Sequence, residues 1–126
     1  MNGTCYYFQS PYSKIKTFRD SRTYCKTIFG NNINGRIFEP RSKEQMILVF
    51  KEAKNFSSGV FYIGVTNLLS SSEFRYDSDN ELVSMEMPIS PPSSKGVVCA
   101  SCLNNNQVHW ERDSGNCCCY LICEVA

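Results

Sequence analysis

Apolar positions change their spacing about half-way along the chain. In the first half they recur at helical intervals: Phe18, Cys25, Ile28 and Phe29 fall close to one face of a helix running from Thr17 to Phe29, with Gly30 placed as a left-handed cap. Asn31, Asn32, Asn34 and Gly35 form a turn. A second helix begins at Ser42, whose hydroxyl caps the backbone while Gln45 reaches back in a capping box. It carries Met46, Val49, Phe50 and Ala53 on one stripe and ends near Lys54. Cys5-Tyr6-Tyr7-Phe8 reads as a strand before the first helix, and Val60 to Val65 as a buried strand after the second. Strands dominate from there on. Val97 to Leu103 and Gln107 to Glu111 predict a hairpin around Asn104-Asn105-Asn106, and Cys119 to Val125 predicts the closing strand.

Between these strands, from Asn67 to Gly96, the pattern dissolves. The tract holds serines, acids and Pro88, Pro91 and Pro92, with little order beyond Glu73-Phe74-Arg75-Tyr76. An irregular tract of that length inside a compact domain is either functional or wrongly assigned.

The 126 residues suit one domain spanning 1–126. Thirteen basic residues against 12 acidic ones leave a net charge of +1 with no block of like charge, which points away from nucleic acid and from anionic membrane surfaces. No apolar run approaches the ~20 residues of a membrane span, and no charged-then-apolar leader opens the chain, so the expectation is a mature, soluble form. Eight cysteines change the picture more. Cytosolic redox buffers would keep so many thiols reduced, so an oxidising compartment and secretion are expected. Asn2-Gly3-Thr4 and Asn55-Phe56-Ser57 are glycosylation sequons that point the same way.

Enzyme chemistry has no foothold. No nucleophile, base and orienting group stand at a defensible spacing, and the acids are scattered without a pair. His109, the only histidine, alternates with Trp110 and is expected to face outward if the tryptophan is buried.

Several pieces taken in order resemble the C-type lectin-like domain. They are Phe18 to Cys25 in the first helix, Gly35-Arg36-Ile37 after it, Ser42 to Gln45, and Tyr62-Ile63-Gly64-Val65, similar to the family's Trp-Ile-Gly-Leu strand. Phe74-Arg75-Tyr76 before the long loop, Cys99, Trp110 and Ile122-Cys123-Glu124 complete the pattern. The resemblance spans nearly the whole chain and is nearest to small soluble invertebrate lectins of humoral immunity, such as those of bivalves. It implies an α+β fold: two helices flanking antiparallel sheets, a long irregular loop and disulfide staples.

The resemblance also implies two bridges, Cys25 to Cys123 and Cys99 to one of the triple, with Cys117 the best fit. Closing a loop of ~100 residues stabilises by several kcal/mol in the chain-entropy model. Cys5, Cys102, Cys118 and Cys119 are left over, and no cysteine between Cys5 and Cys25 supplies the partner that the family's longer form has. These four suit an intermolecular bridge, to a second copy or to a related chain, or an extra internal one such as Cys102 to Cys119. Cys99-x-x-Cys102 with Cys117 to Cys119 also resembles a set of zinc ligands, a rival more at home in reducing compartments.

Sugar-binding members of the family hold calcium in the long loop with Glu-Pro-Asn or Gln-Pro-Asp, and with Trp-Asn-Asp on the late strand. Here Pro88 lies between Met87 and Ile89, Pro91 between Ser90 and Pro92, and Trp110 is followed by Glu111-Arg112-Asp113. Arg112 would repel a cation, so the expectation is that the calcium site is lost, with no metal or other cofactor. Glu39-Pro40-Arg41 looks like a motif fragment but sits between the helices. The resemblance then implies a calcium-independent lectin. Its candidate carbohydrate-binding residues are His109, Glu111, Arg112, Asp113 and Glu86, with Lys95 nearby, and its partner is a glycan with terminal N-acetylhexosamine. The alternative is a protein-binding domain of the same fold.

Overall fold

The computed structural model describes residues 4–8, 17–28, 34–55, 60–70, 73–84, 96–102, 108–113 and 120–125; positions 69, 70, 101, 102, 109 and 111–113 are described as backbone alone. Along the chain come Cys5–Phe8 (β1), Phe18–Thr27 (α1), Arg36–Ile37 (β2), Lys43–Ala53 (α2), Phe61–Ser70 (β3), Glu73–Tyr76 (β4), Val97–Cys102 (β5), Val108–Asp113 (β6) and Tyr120–Val125 (β7).

Both helices start on hydroxyl caps. The Thr17 side chain accepts from the Asp20 N–H at 3.1 Å, and the Asp20 carboxylate stands in the first turn where the helix dipole favours it. The buried face of α1 is Phe18, Ser21 and Cys25. Ser21 escaped the hydrophobic pattern because its hydroxyl donates to the Thr17 carbonyl at 2.8 Å, which lets a polar group go under cover. The right-handed cap at Ile28 ends the element, and the expected Gly30 cap lies outside the described residues. In α2, Ser42 accepts from the Gln45 N–H at 3.1 Å as expected. The Gln45 side chain reaches back one residue further than a capping box requires and accepts from the Arg41 N–H at 2.8 Å. Met46, Val49, Phe50 and Ala53 are all buried.

The strands form a sheet in the order β1-β7-β3-β5-β6, with β2 also on β7 and β4 also on β3. The pairings are antiparallel except for β3 with β7, which run parallel through Phe61↔Tyr120 and Tyr62↔Leu121. The sheet is therefore mixed where antiparallel sheets were expected. One side packs on α2: Phe50 sits edge-on between Phe38 and Phe61, and the buried Trp110 indole N–H donates to the Met46 sulfur at 3.2 Å. A second cluster surrounds the Cys25–Cys123 disulfide, whose Cα atoms are 5.3 Å apart, with Phe18, Tyr62 and Leu121 against it.

The tract from Asn67 is more ordered than its composition suggests. β3 continues through Ser70 and turns back into β4, and Leu82 makes a β-bridge with Arg75 while Val83 packs on the core. Asn67 misleads because it stands in for a ladder residue: it is buried, its N–H donates to the Gly96 carbonyl at 3.2 Å, and its Oδ1 accepts from the Gly96 N–H at 2.8 Å. β6 likewise runs to Asp113, beyond the predicted Glu111. β2, at two residues, is too short to show any periodicity.

Candidate functional site

Four of the five expected sugar-binding residues lie on β6, the outer strand beyond β5. The register sets His109 opposite Ser101, Glu111 opposite Cys99, Arg112 opposite Val98 and Asp113 opposite Val97. Asp113 thus stands at the end of the hairpin where Gly96 meets Asn67, the end from which the long tract departs. The side chains of His109, Glu111, Arg112 and Asp113, and the whole of Glu86 and Lys95, lie outside the described residues. Trp110 of the same strand is buried in the core.

The base of that tract is held by charges that pattern reading passed over. Glu39, almost fully buried at 1% exposure, accepts from both the backbone N–H and the hydroxyl of Ser78 at 2.8 Å, and from the Arg41 guanidinium at 2.8 Å. Glu124, also buried, accepts from the Glu39 N–H at 2.9 Å and from Arg36 Nε at 3.1 Å. Arg36 Nη1 stands 3.6 Å from the Glu39 carboxylate, so one guanidinium serves both acids. Burial is the leading influence on the two carboxyls and pushes both above the usual glutamate range, against the pull of these donors.

The turn after β4 is thereby clamped from several sides. Asp77 forms a bidentate pair with Arg22 of α1, at 2.9 Å to Nε and 2.7 Å to Nη2, and its N–H donates to the Gly64 carbonyl at 2.8 Å. Tyr76 donates its hydroxyl to the Pro40 carbonyl at 2.7 Å, and the Arg41 guanidinium lies 3.7 Å from the centre of its ring. Asn80 closes the turn in the left-handed conformation, φ 60°, which asparagine tolerates better than most residues. Gly64 makes the close approach possible: a Cβ there would meet Glu39 Cγ at 2.6 Å and the Ile37 carbonyl at 2.9 Å. Glu39-Pro40-Arg41 is therefore part of an ionic strut that holds the turn after β4, its glutamates buried and its arginines partly exposed. The legible signal was Gly64 in the middle of an apolar strand, which marks a close backbone approach.

Beside this strut lies an open depression of about 740 Å³ lined by Arg22, Lys26, Arg36, Asp77 and Ser78 among others. Arg22 and Arg36 are already engaged by Asp77 and Glu124, so the arrangement reads as support for the turn.

Cysteine chemistry is settled in part. Cys25 and Cys123 are joined as expected, and Cys99 is disulfide-bonded, which removes its thiolate from any zinc site; Cys117, its expected partner, lies outside the described residues, as do Cys118 and Cys119. Cys102 is described as backbone alone. Cys5 is free and exposed on the outer strand β1.

The family model of the lectin C-type domain matches residues 14–125. The chain belongs to the C-type lectin domain family. Solved structures agree on the fold of this C-type lectin domain. CEL-IV superposes with a TM-score of 0.77 at 16% identity, over 100% of this chain and 89% of its own. Human lithostathine gives 0.75 at 20% identity, over 98% and 92%. The Ca2+-independent C-type lectin SPL-2 from Saxidomus purpuratus gives 0.74 at 13% identity, over 99% and 88%. No curated protein matches. Among the described residues, no helix of this lectin domain is long and apolar enough to cross a membrane.

Proposed function

We propose that this C-type lectin domain is an extracellular carbohydrate-binding module that works without calcium and selects glycans ending in N-acetylhexosamine. One observation carries the reading: Arg112 occupies β6 one residue before its end, where family members that use calcium present an oxygen ligand. A guanidinium there repels a cation. In the long tract, Pro88 is flanked by Met87 and Ile89, neither of which has a side-chain oxygen. The donor set does not fit calcium. That a protein of this fold is itself described as a Ca2+-independent lectin supports the reading.

Without the metal, selectivity must come from a group that a plain hydroxyl ring lacks. An acetamido group presents an amide donor, a carbonyl acceptor and a methyl. Glu111 or Asp113 accepts from the amide, Arg112 donates to the carbonyl, and His109 covers the methyl, with Glu86 as a further acceptor. Each charge-assisted bond contributes ~1.5–3 kcal/mol. Cys5, free and exposed, suits a covalent link to a second copy or a related chain, which raises avidity by effective concentration.

The test measures binding of N-acetylglucosamine and N-acetylgalactosamine against glucose and galactose, in excess calcium and in excess chelator. The reading expects acetamido sugars to be retained in both, and Arg112→Ala or Asp113→Asn to abolish retention. Loss of binding in chelator would restore a metal, and equal retention of glucose would sink the acetamido argument. Absence of any sugar binding would favour the protein-binding alternative.

A further inference from the structure

We infer that Asn55 is a site of N-linked glycosylation, carried on the exposed turn that ends α2. The inference rests on the extracellular reading above. Asn55 heads the sequon Asn55-Phe56-Ser57 and is exposed in the turn that ends α2. Its backbone N–H donates to the Glu52 carbonyl at 3.0 Å, so the turn is made by the main chain. The side-chain amide makes none of the hydrogen bonds that hold the described residues together. A glycan on Nδ2 therefore displaces no hydrogen bond among the described residues, whereas Asn67, equally an asparagine, is buried and engaged with Gly96.

The modification also fits the chemistry of the compartment, since the Cys25–Cys123 bridge needs the oxidising lumen in which the glycan donor is used.

In the step itself, the Asn55 side-chain nitrogen attacks the anomeric carbon of a lipid-pyrophosphate-linked oligosaccharide under a membrane-bound oligosaccharyl transferase. The N–C bond forms as the anomeric C–O bond to phosphate breaks. The lipid pyrophosphate leaves and the amide proton passes to a base of the transferase.

The experiment expresses the full chain behind a secretory leader in cultured insect cells and reads the mass of the medium and cell-associated fractions before and after peptide N-glycosidase. Asn2→Gln removes the other sequon. The Asn2→Gln chain is expected to carry one glycosidase-sensitive glycan, and Asn2→Gln/Asn55→Gln or Asn2→Gln/Ser57→Ala none. An Asn2→Gln chain with its disulfides formed and no glycan overturns the proposal. Retention of the chain in cells counts against the extracellular reading alone, because glycan addition precedes release and is still read in the cell fraction.

Discussion

The Glu39 backbone N–H donates to the carboxylate of Glu124 at 2.9 Å, and Arg36 reaches both acids, so two buried glutamates far apart in the chain form one unit. This unit ties the segment between the helices to β7, and through Ser78 to the turn after β4. Predictions about stability follow from how tightly it is built.

Replacing Gly64 tests the packing directly. Glu39 is held by Ser78 and Arg41 and has no room to retreat from a Cβ at 2.6 Å. Gly64→Ala should destabilise by ~1–3 kcal/mol, as overpacking of a close-packed interior does, read as a lower urea midpoint at unchanged slope. An unchanged midpoint would mean that the strut yields freely.

The pH dependence of stability carries a definite sign. Burial raises both carboxyls above their ordinary 4.5, so the folded chain keeps protons there at a pH where the unfolded chain has released them. Their contribution is complete below 4.5 and is lost as pH rises through the raised folded values. The melting temperature should therefore fall as pH is raised from 4.5 towards neutrality, and Glu39→Gln/Glu124→Gln should flatten that slope. A slope left intact in the double variant would assign it to other groups.

The Cys25–Cys123 bridge closes a sequence separation of 98 residues. Cys25→Ala/Cys123→Ala should cost ~2–5 kcal/mol, read by thermal unfolding without reductant. Reductant should shift the parent chain at least as far, since it also opens the bridge at Cys99.

Cys5 makes the opposite prediction. It is exposed and unbonded, so Cys5→Ser should change stability by no more than ~0.5 kcal/mol while removing a disulfide-linked dimer from a non-reducing gel. A dimer that survives the substitution would move the link to Cys102, Cys118 or Cys119.

Much of this was legible in the residues. The helix stripes and the order of Trp110, Cys123 and Glu124 led to the right fold, because burial on one face leaves a periodic trace. What escaped was polar burial. Ser21, Glu39 and Asn67 look like surface residues, and each is buried with specific partners: Thr17 for Ser21, Ser78 and Arg41 for Glu39, and Gly96 for Asn67. Such partners are distant or local in ways that composition does not encode. Arg112 was singled out because the resemblance puts a calcium ligand at its place, and the register adds only that its backbone lies on the outer strand opposite Val98.

The placement of β7 has a consequence for how the molecule comes into being. Among the described residues, β1 and β2 pair with no strand but β7, which is made after the other strands. While the chain is on the ribosome, the first strands therefore wait without a neighbour, and Cys25 waits for Cys123 among six other thiols. Synthesis order thus makes the closing of the sheet and the choice of the correct bridge wait for β7, and leaves the nascent chain open to disulfide exchange until that strand emerges.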